Sequence, residues 1–292
     1  MTENAANGEP SSPGTSATIV VGATSKPGSR RAIEWAVARA ASTGARLELF
    51  SVIGGAVGAV GEQEVVQRAV DYEEAFLRNE AASLSARGID VAVRVTNGNP
   101  TKELVEASAD AGLLVIGSDH TGGTDKHRGP HGTRIVAGAH CPVVVVPDID
   151  TTGRTGVVVG VDGSEVSHAA LAFAAAEAAR FAEPLTVVST WMPVVYTGDI
   201  APYPDMYLTD LQGTTEAFAQ SMADEVRKDH PNLEIVVHVD EGDPAAVITE
   251  VAASARLAVV GTHGRTGLAR FLLGSVSTQV LDHLTTVTAA VR

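Results

Sequence analysis

Cysteine is all but missing from this chain: among 292 residues there is one, Cys141. A single thiol excludes an internal disulfide framework and fits a reducing cytosol. Positive charge is also scarce, with 21 Lys and Arg against 35 Asp and Glu, for a net charge of −14. No Lys/Arg block or basic face occurs, which argues against nucleic acid as a partner. No apolar run approaches the ~20 residues that a membrane span requires, so no membrane partner is expected. The opening MTENAANGEPSSPGTS has neither the basic nor the apolar region of a secretory signal. The expectation is a soluble, cytoplasmic protein.

What the sequence does contain is apolar substance, 45% of residues, with only 19% charged. That composition supports a globular core, and the length allows about two domains. The Pro-, Gly-, Ser- and Asn-containing residues 1–16 read as a disordered tail.

The remainder repeats at a spacing of about 140 residues, a domain-sized period. Thr18-Ile-Val-Val-Gly22 corresponds to Gly156-Val-Val-Val-Gly160, each followed by a turn and an Ala-rich amphipathic helix (Ser29–Thr43; Glu165–Ala182). Apolar runs at Arg46–Val52 and Leu185–Thr190 follow, then longer helices near 63–87 and 208–229. The segments ending Asn97-Gly-Asn-Pro100 and Glu241-Gly-Asp-Pro244 align closely. So do Leu113-Leu-Val-Ile-Gly117 and Leu257-Ala-Val-Val-Gly261, and the last strands are Pro142–Val146 and Val287–Val291. The division is residues 17–147, a linker at 148–154, and residues 155–292. Alternating strands and helices with continuously apolar strands predict an α/β fold, a parallel sheet covered by helices on both faces. Ligands of such sheets bind beyond the carboxyl ends of the strands, where strand order reverses.

The second copy carries a distinctive glycine pattern at that end. Leu257–Val260 reads as a strand, and Gly261-Thr-His-Gly264 leaves it. Gly274-Ser275 then opens a helix whose apolar spacing extends over Phe271–Leu284. Glycines there let backbone N–H groups approach a ligand, and a helix N-terminus favours an anion. Together they outline a phosphate cradle.

Two such copies, with Val159-Gly-Val-Asp-Gly-Ser164 at the first turn and G-x2-G-x9-G-S later, resemble the universal stress protein family in its tandem form. The resemblance implies two repeated Rossmann-like (adenine nucleotide alpha hydrolase-like) domains, each a five-stranded parallel sheet. It also implies two-fold pairing through the last strand, a pseudo-dimer within the chain that allows a homodimer of chains, and bound ATP with Mg2+. Carried over residue by residue, Asp162 sits beside adenine, Thr190 touches the base edge, and Val260 and Gly261 lie against adenine and ribose. Gly264, Gly274, Ser275, Val276 and Ser277 hold the triphosphate. The polarity agrees with elementary electrostatics: a carboxylate such as Asp162 repels phosphate and belongs at the base end. Arg265 and Arg270 would add positive charge at the other end.

The first copy departs from this pattern. Thr24-Ser25-Lys26 replaces Asp162-Gly163-Ser164, His120 stands where Gly264 would, and Pro130, without an N–H, replaces Ser275. It is expected not to hold ATP in the family's manner. The second copy ends in Thr-Thr-Val-Thr-Ala-Ala-Val-Arg, a less apolar strand than the first copy's Pro-Val-Val-Val-Val-Pro. Pairing between chains through that strand is therefore weakened, while pairing within the chain is not.

Other clusters are read plainly. His120, His127, His131, His140 and Cys141 are close in sequence, but Gly129-Pro130 breaks any helix that would align His127 with His131, so a mobile polar loop is expected rather than a metal site. His263 lacks an orienting carboxylate in its motif and is expected to hydrogen-bond ribose or solvent rather than act as a base. The Pro- and Tyr-rich stretch Tyr196–Tyr207 is a lid or partner-contact candidate. The phosphate loop has no carboxylate, and the chain lacks the G-x-x-x-x-G-K-[ST] lysine. A nucleotide-dependent sensor with an unknown protein partner is therefore expected, with slow ATP hydrolysis or group transfer at most. A dinucleotide oxidoreductase lacks its G-x-G-x-x-G after the first strand of either copy, and a ligand-free scaffold is the remaining alternative.

Overall fold

The computed structural model describes residues 18–54, 62–118, 131–193, 205–264 and 273–292. The first copy runs β1 (Ile19–Gly22), α1 (Pro27–Thr43), β2 (Leu47–Ile53), α2 (Glu62–Ser85), β3 (Val91–Asn97), α3 (Pro100–Ala107), β4 (Leu113–Ser118), α4 (His131–Gly138) and β5 (Val143–Pro147). The second repeats it: β6 (Val157–Gly160), α5 (Glu165–Phe181), β7 (Leu185–Trp191), α6 (Asp205–Asp229), β8 (Ile235–Glu241), α7 (Pro244–Ala252), β9 (Leu257–Gly261), α8 (Ser275–Asp282) and β10 (Val287–Val291). Helix α8 begins at Ser275, with Gly274 as its N-cap in extended conformation, so the Gly-Ser pair opens the helix as expected. A β-region residue is what an N-cap requires.

The strands form one ten-stranded sheet in the order β3-β2-β1-β4-β5-β10-β9-β6-β7-β8. All pairs within a copy are parallel. Chain order reverses beside β1, between β2 and β4, and again beside β6, between β7 and β9. These are the two switch points at which a cleft opens above the strand ends. Both copies enter the helix after their third strand alike. Asn99 and Asp243 accept N-cap hydrogen bonds, and a proline follows at the first helical position.

The copies join where β5 and β10 pair antiparallel, Val144 opposite Ala289, with Val143–Ala290 and Val145–Thr288 on either side. Every residue of β10 is buried, so its small side chains sit between two strands and do not form an exposed edge. The apolar core on one sheet face is continuous through both copies, from Val21 and Val37 to Val159 and Met222. The opposite face is divided between α3–α4 and α7–α8.

Helices α1 and α5 meet across the same pseudo-two-fold axis. Arg39 and Glu177 hold equivalent places in their helices and form an ion pair with each other. Arg180 donates to Glu177 at 2.6 Å and to Ser42, its own counterpart, at 3.0 Å. Glu177 is only 1% exposed. Burial, and then the neighbouring Arg180 charge, hold the Arg39 guanidinium down to about 10. At the edges of the seam, Arg154 donates to the Thr285 carbonyl, and Arg292 donates to the Ala137 carbonyl at the end of α4. Cys141 is buried, which pushes its thiol up to about 11, the behaviour of a packing residue and not of a nucleophile.

Candidate functional site

A cavity of about 510 Å3 lies above the strand ends of the second copy, at its switch point. It brings together Asp162, Thr190, Val260, Gly261, Gly264, Gly274, Ser275, Val276 and Ser277, every sequence-predicted site residue within the described residues. Arg265 lies outside them, as do Arg270, His120, His127, Pro130 and the 196–204 part of the tyrosine-rich stretch. Among the described residues no three His, Cys, Asp or Glu side chains gather as metal ligands would.

Asp162 leaves β6 and folds back over its own turn. Its Oδ1 accepts from the Ser164 N–H at 3.0 Å and the Ser164 hydroxyl at 2.6 Å. Gly163 sits at φ +81°, a conformation that side-chain-bearing residues rarely adopt. The Ser164 hydroxyl also caps α5 by accepting from the Ser167 N–H. The other carboxylate oxygen faces Gly264, where a Cβ would come within 2.6 Å of Oδ2. A side chain at Gly264 would therefore push the Asp162 carboxylate aside.

Gly274 donates its N–H to the Thr262 carbonyl at 2.7 Å, which docks the start of α8 onto the end of β9. Thr262 in turn donates its N–H to Val291 of β10 at 2.7 Å. Ser275, Val276 and Ser277, the first turn of α8, line the cavity, and the N–H groups of a first helical turn have no partner within their own helix. The Ser275 side chain is exposed, whereas Ser277 is buried and donates its hydroxyl to the Gly261 carbonyl. Ser277 thus offers a ligand its backbone N–H, its hydroxyl being used to clamp the glycine turn.

The sequence reading missed the roof. Thr214, Thr215 and Phe218 of α6 and Ile248 of α7 also line the cavity, and the Phe218 ring packs over Gly163, 3.2 Å from where a Cβ would stand. The shared Glu-Ala-Phe of the two long helices (74–76 and 216–218) was the available signal. It places Glu73 where the second copy has Thr215.

The first copy uses that difference to close its own turn. Glu73 accepts from the Ser25 N–H at 2.9 Å and from the Ser25 hydroxyl at 2.6 Å. Gly117, kept from the motif, is packed beneath α1: a Cβ there would come within 2.4 Å of the Gly28 carbonyl. A larger cavity of about 880 Å3 does open in this copy, but between α1 and α2, along Ile33, Val37, Phe76 and Leu84. In the same register Glu80 stands where the second copy buries Met222. A carboxylate without a partner does not enter a core, so that seam stays open to solvent. It runs from the Thr24–Lys26 turn after β1 and Asp148 after β5 down the flanks of α1 and α2.

Comparison with known proteins agrees with this two-copy architecture. Residues 16–147 and 154–292 each match the universal stress protein family. A universal stress protein of Mycolicibacterium smegmatis is 29% identical over 287 residues, 94% of this chain and 96% of that one. One from Mycobacterium tuberculosis is 32% identical over 200 residues, covering 67% of this chain and 66% of that one. Among solved structures, a universal stress protein from Archaeoglobus fulgidus superposes with a TM-score of 0.70 at 16% identity, covering 94% of this chain and 98% of that one.

Proposed function

Because the chain belongs to the universal stress protein family, a stress-response family, with two such domains in tandem, we propose that it is a nucleotide-dependent regulatory module. In this reading it binds ATP in its second domain, and the first domain serves as a structural partner. The observation that carries the reading is the lining of the cavity above β6 and β9. One volume, within the ~300–1,000 Å3 usual for small-molecule sites, is lined by a carboxylate, Asp162, and by the N-terminus of α8. Asp162 accepts hydrogen bonds and so suits the exocyclic amine of adenine, while the free N–H groups of α8 suit phosphate. Thr190 at the end of β7 and Val260 provide the base edge and face.

The lining offers a magnesium ion little. Asp162 is its one carboxylate among the described residues, and Ser164 occupies one of its oxygens. Mg2+ accompanying ATP would be held by phosphate oxygens and water, and the protein's part is to orient the nucleotide. Among the described residues no second carboxylate lines the cavity to activate water, which favours binding over rapid hydrolysis. A change in the Gly261–Ser275 loop on binding is the proposed output to a protein partner.

The test is calorimetric titration of the nucleotide-free chain with Mg-ATP. The expected result is one site per chain, lost in Gly274→Asp, which puts a side chain 3.3 Å from the Thr262 carbonyl and a negative charge at the anion end. Two sites per chain would refute the assignment of the first domain, and no binding would refute the nucleotide reading.

A further inference from the structure

The wall that α6 supplies to the second copy's cavity has a chemistry of its own. Thr215 spends its hydroxyl proton inside the helix, donating to the Leu211 carbonyl at 2.8 Å. Nearly one turn later comes Phe218, the one phenyl ring among the described residues of the lining. Val161, Val188, Ile248 and Val260 line the cavity too, but they are buried in the core. Phe218 is half-buried and keeps part of its surface accessible.

The seat of that ring is fixed from below. Its Cε2 and Cζ lie 3.2 and 3.4 Å from where a Cβ would stand at Gly163. Glycine there serves two ends at once, the φ of +81° and the close approach of the ring. Asp162 is the preceding residue, so ring and carboxylate share one turn and line one cavity. The first copy is the natural control. It keeps the phenylalanine as Phe76, but Ser25 takes the place of the glycine and is held by Glu73. Phe76 lines the seam between α1 and α2 with Ile33 and Leu84 instead. The ring belongs to both copies, and its seat beside a carboxylate belongs to the second.

A hydrocarbon ring next to a hydrogen-bonding carboxylate selects one part of a ligand. Phosphate or sugar hydroxyls set against the ring would lose hydration and gain no hydrogen bond. A planar heterocycle loses little there, and bases stack favourably on aromatic side chains. We propose that Phe218 is a specificity-determining residue for the base: its ring takes the face of a planar heterocycle whose amine edge Asp162 accepts. This rests on the nucleotide reading of the cavity and deepens it, because it assigns recognition of the base to α6, outside the glycine turn.

Two measurements on the full chain test it. The first is proton NMR of the parent with bound ATP. Nuclear Overhauser effects are expected between adenine H2 or H8 and the Phe218 ring protons, which are assigned by their absence in Phe218→Leu. This signature is read on the parent and does not depend on how the variant folds. The second is calorimetry with ATP and AMP on the parent, Phe218→Leu and Phe218→Tyr. Phe218→Leu keeps an apolar side chain and removes the ring, and it is expected to weaken both nucleotides by the same factor, about fivefold or more. Phe218→Tyr keeps the ring and binds as the parent does. Absence of the ring-to-base contacts in a bound parent, affinities of Phe218→Leu equal to the parent's, or a loss for ATP much greater than for AMP would each overturn the proposal. Failure of the parent to bind either nucleotide overturns the nucleotide reading itself. A parent that binds beside an unaffected Phe218→Leu overturns only the role of Phe218.

Discussion

The two copies share a fold, an element order and the same capped entry into their third helix, yet above the strand ends they differ in almost every contact. In the second copy Gly163 takes a positive φ, Asp162 turns back onto Ser164, and Thr215 and Phe218 of α6 stand off to roof a cavity. In the first, Ser25 replaces the glycine, and Glu73 reaches down from α2 to hold it. Gly117 survives there as a packing residue under α1. The comparison separates what the fold needs from what the site needs. Strand ends contribute little to the core on either sheet face, so their side chains are free to change without unfolding the sheet. The copies also diverged at the place where they touch, since Arg39 faces Glu177 across equivalent positions of α1 and α5. Two identical copies would bring like charges together there.

That buried seam is where the largest effect is expected. Glu177→Ala leaves Arg39 and Arg180 without their carboxylate and is expected to cost about 3–5 kcal/mol in urea unfolding. Replacing Arg39 and Glu177 together by Met is expected to recover most of it, because the desolvation penalty leaves with both charges. Destabilisation of the double variant equal to the sum of the singles would show that the two residues act independently.

The retained glycines sharpen the contrast between sites. Gly264→Val displaces the Asp162 carboxylate and is expected to lower nucleotide affinity at least about 100-fold, which is ~2.7 kcal/mol, with little change in the unfolding midpoint. Gly117→Ala meets backbone, which cannot rotate away. It is expected to cost about 1–3 kcal/mol of stability while leaving nucleotide affinity alone. Should Gly117→Ala abolish binding, the first copy would have to be counted as part of the site.

Smaller effects follow at the first copy's turn and at the second copy's base. Glu73→Thr installs the second copy's residue and is expected to lose about 1 kcal/mol with the Ser25 hydrogen bonds, without creating a second nucleotide site in the calorimeter. Glu183 accepts from Arg256 and from the Gly156 N–H. Burial pushes its carboxyl up, but these hydrogen bonds and the Arg256 charge outweigh it and hold the carboxyl below its ordinary value. A lowered carboxyl contributes stability that is present above its unfolded value and fades as pH falls through the folded one. Arg256→Gln should flatten the acid limb of the stability curve between those two points, and an unchanged limb would assign it to other carboxylates.

Much of this was legible beforehand. The period of the repeat, the continuous apolar strands and the Asn-Pro and Asp-Pro helix entries placed the elements, because each signal is local: it is read from residues a few positions apart. The glycine pattern located the cavity for the same reason. What escaped were contacts between segments distant in sequence. Ser277 gives its hydroxyl to the Gly261 carbonyl, 16 residues earlier. Gly264 lies against Asp162, about a hundred residues away. Phe218 and Thr215 reach the cavity only because α6 lies across the sheet at that height.

The sequence by itself determined that the chain is two copies of one parallel α/β unit and which copy keeps a phosphate-type glycine turn. Hydrophobic period and turn chemistry act within single elements, and a repeat states them twice. Only the tertiary structure decided that Arg39 meets Glu177 on the pseudo-axis and that Glu73 closes the first turn. Those outcomes depend on where backbones separated by tens of residues come to lie within about 3 Å of one another, the range in which hydrogen bonds and ion pairs act. No local pattern encodes that distance.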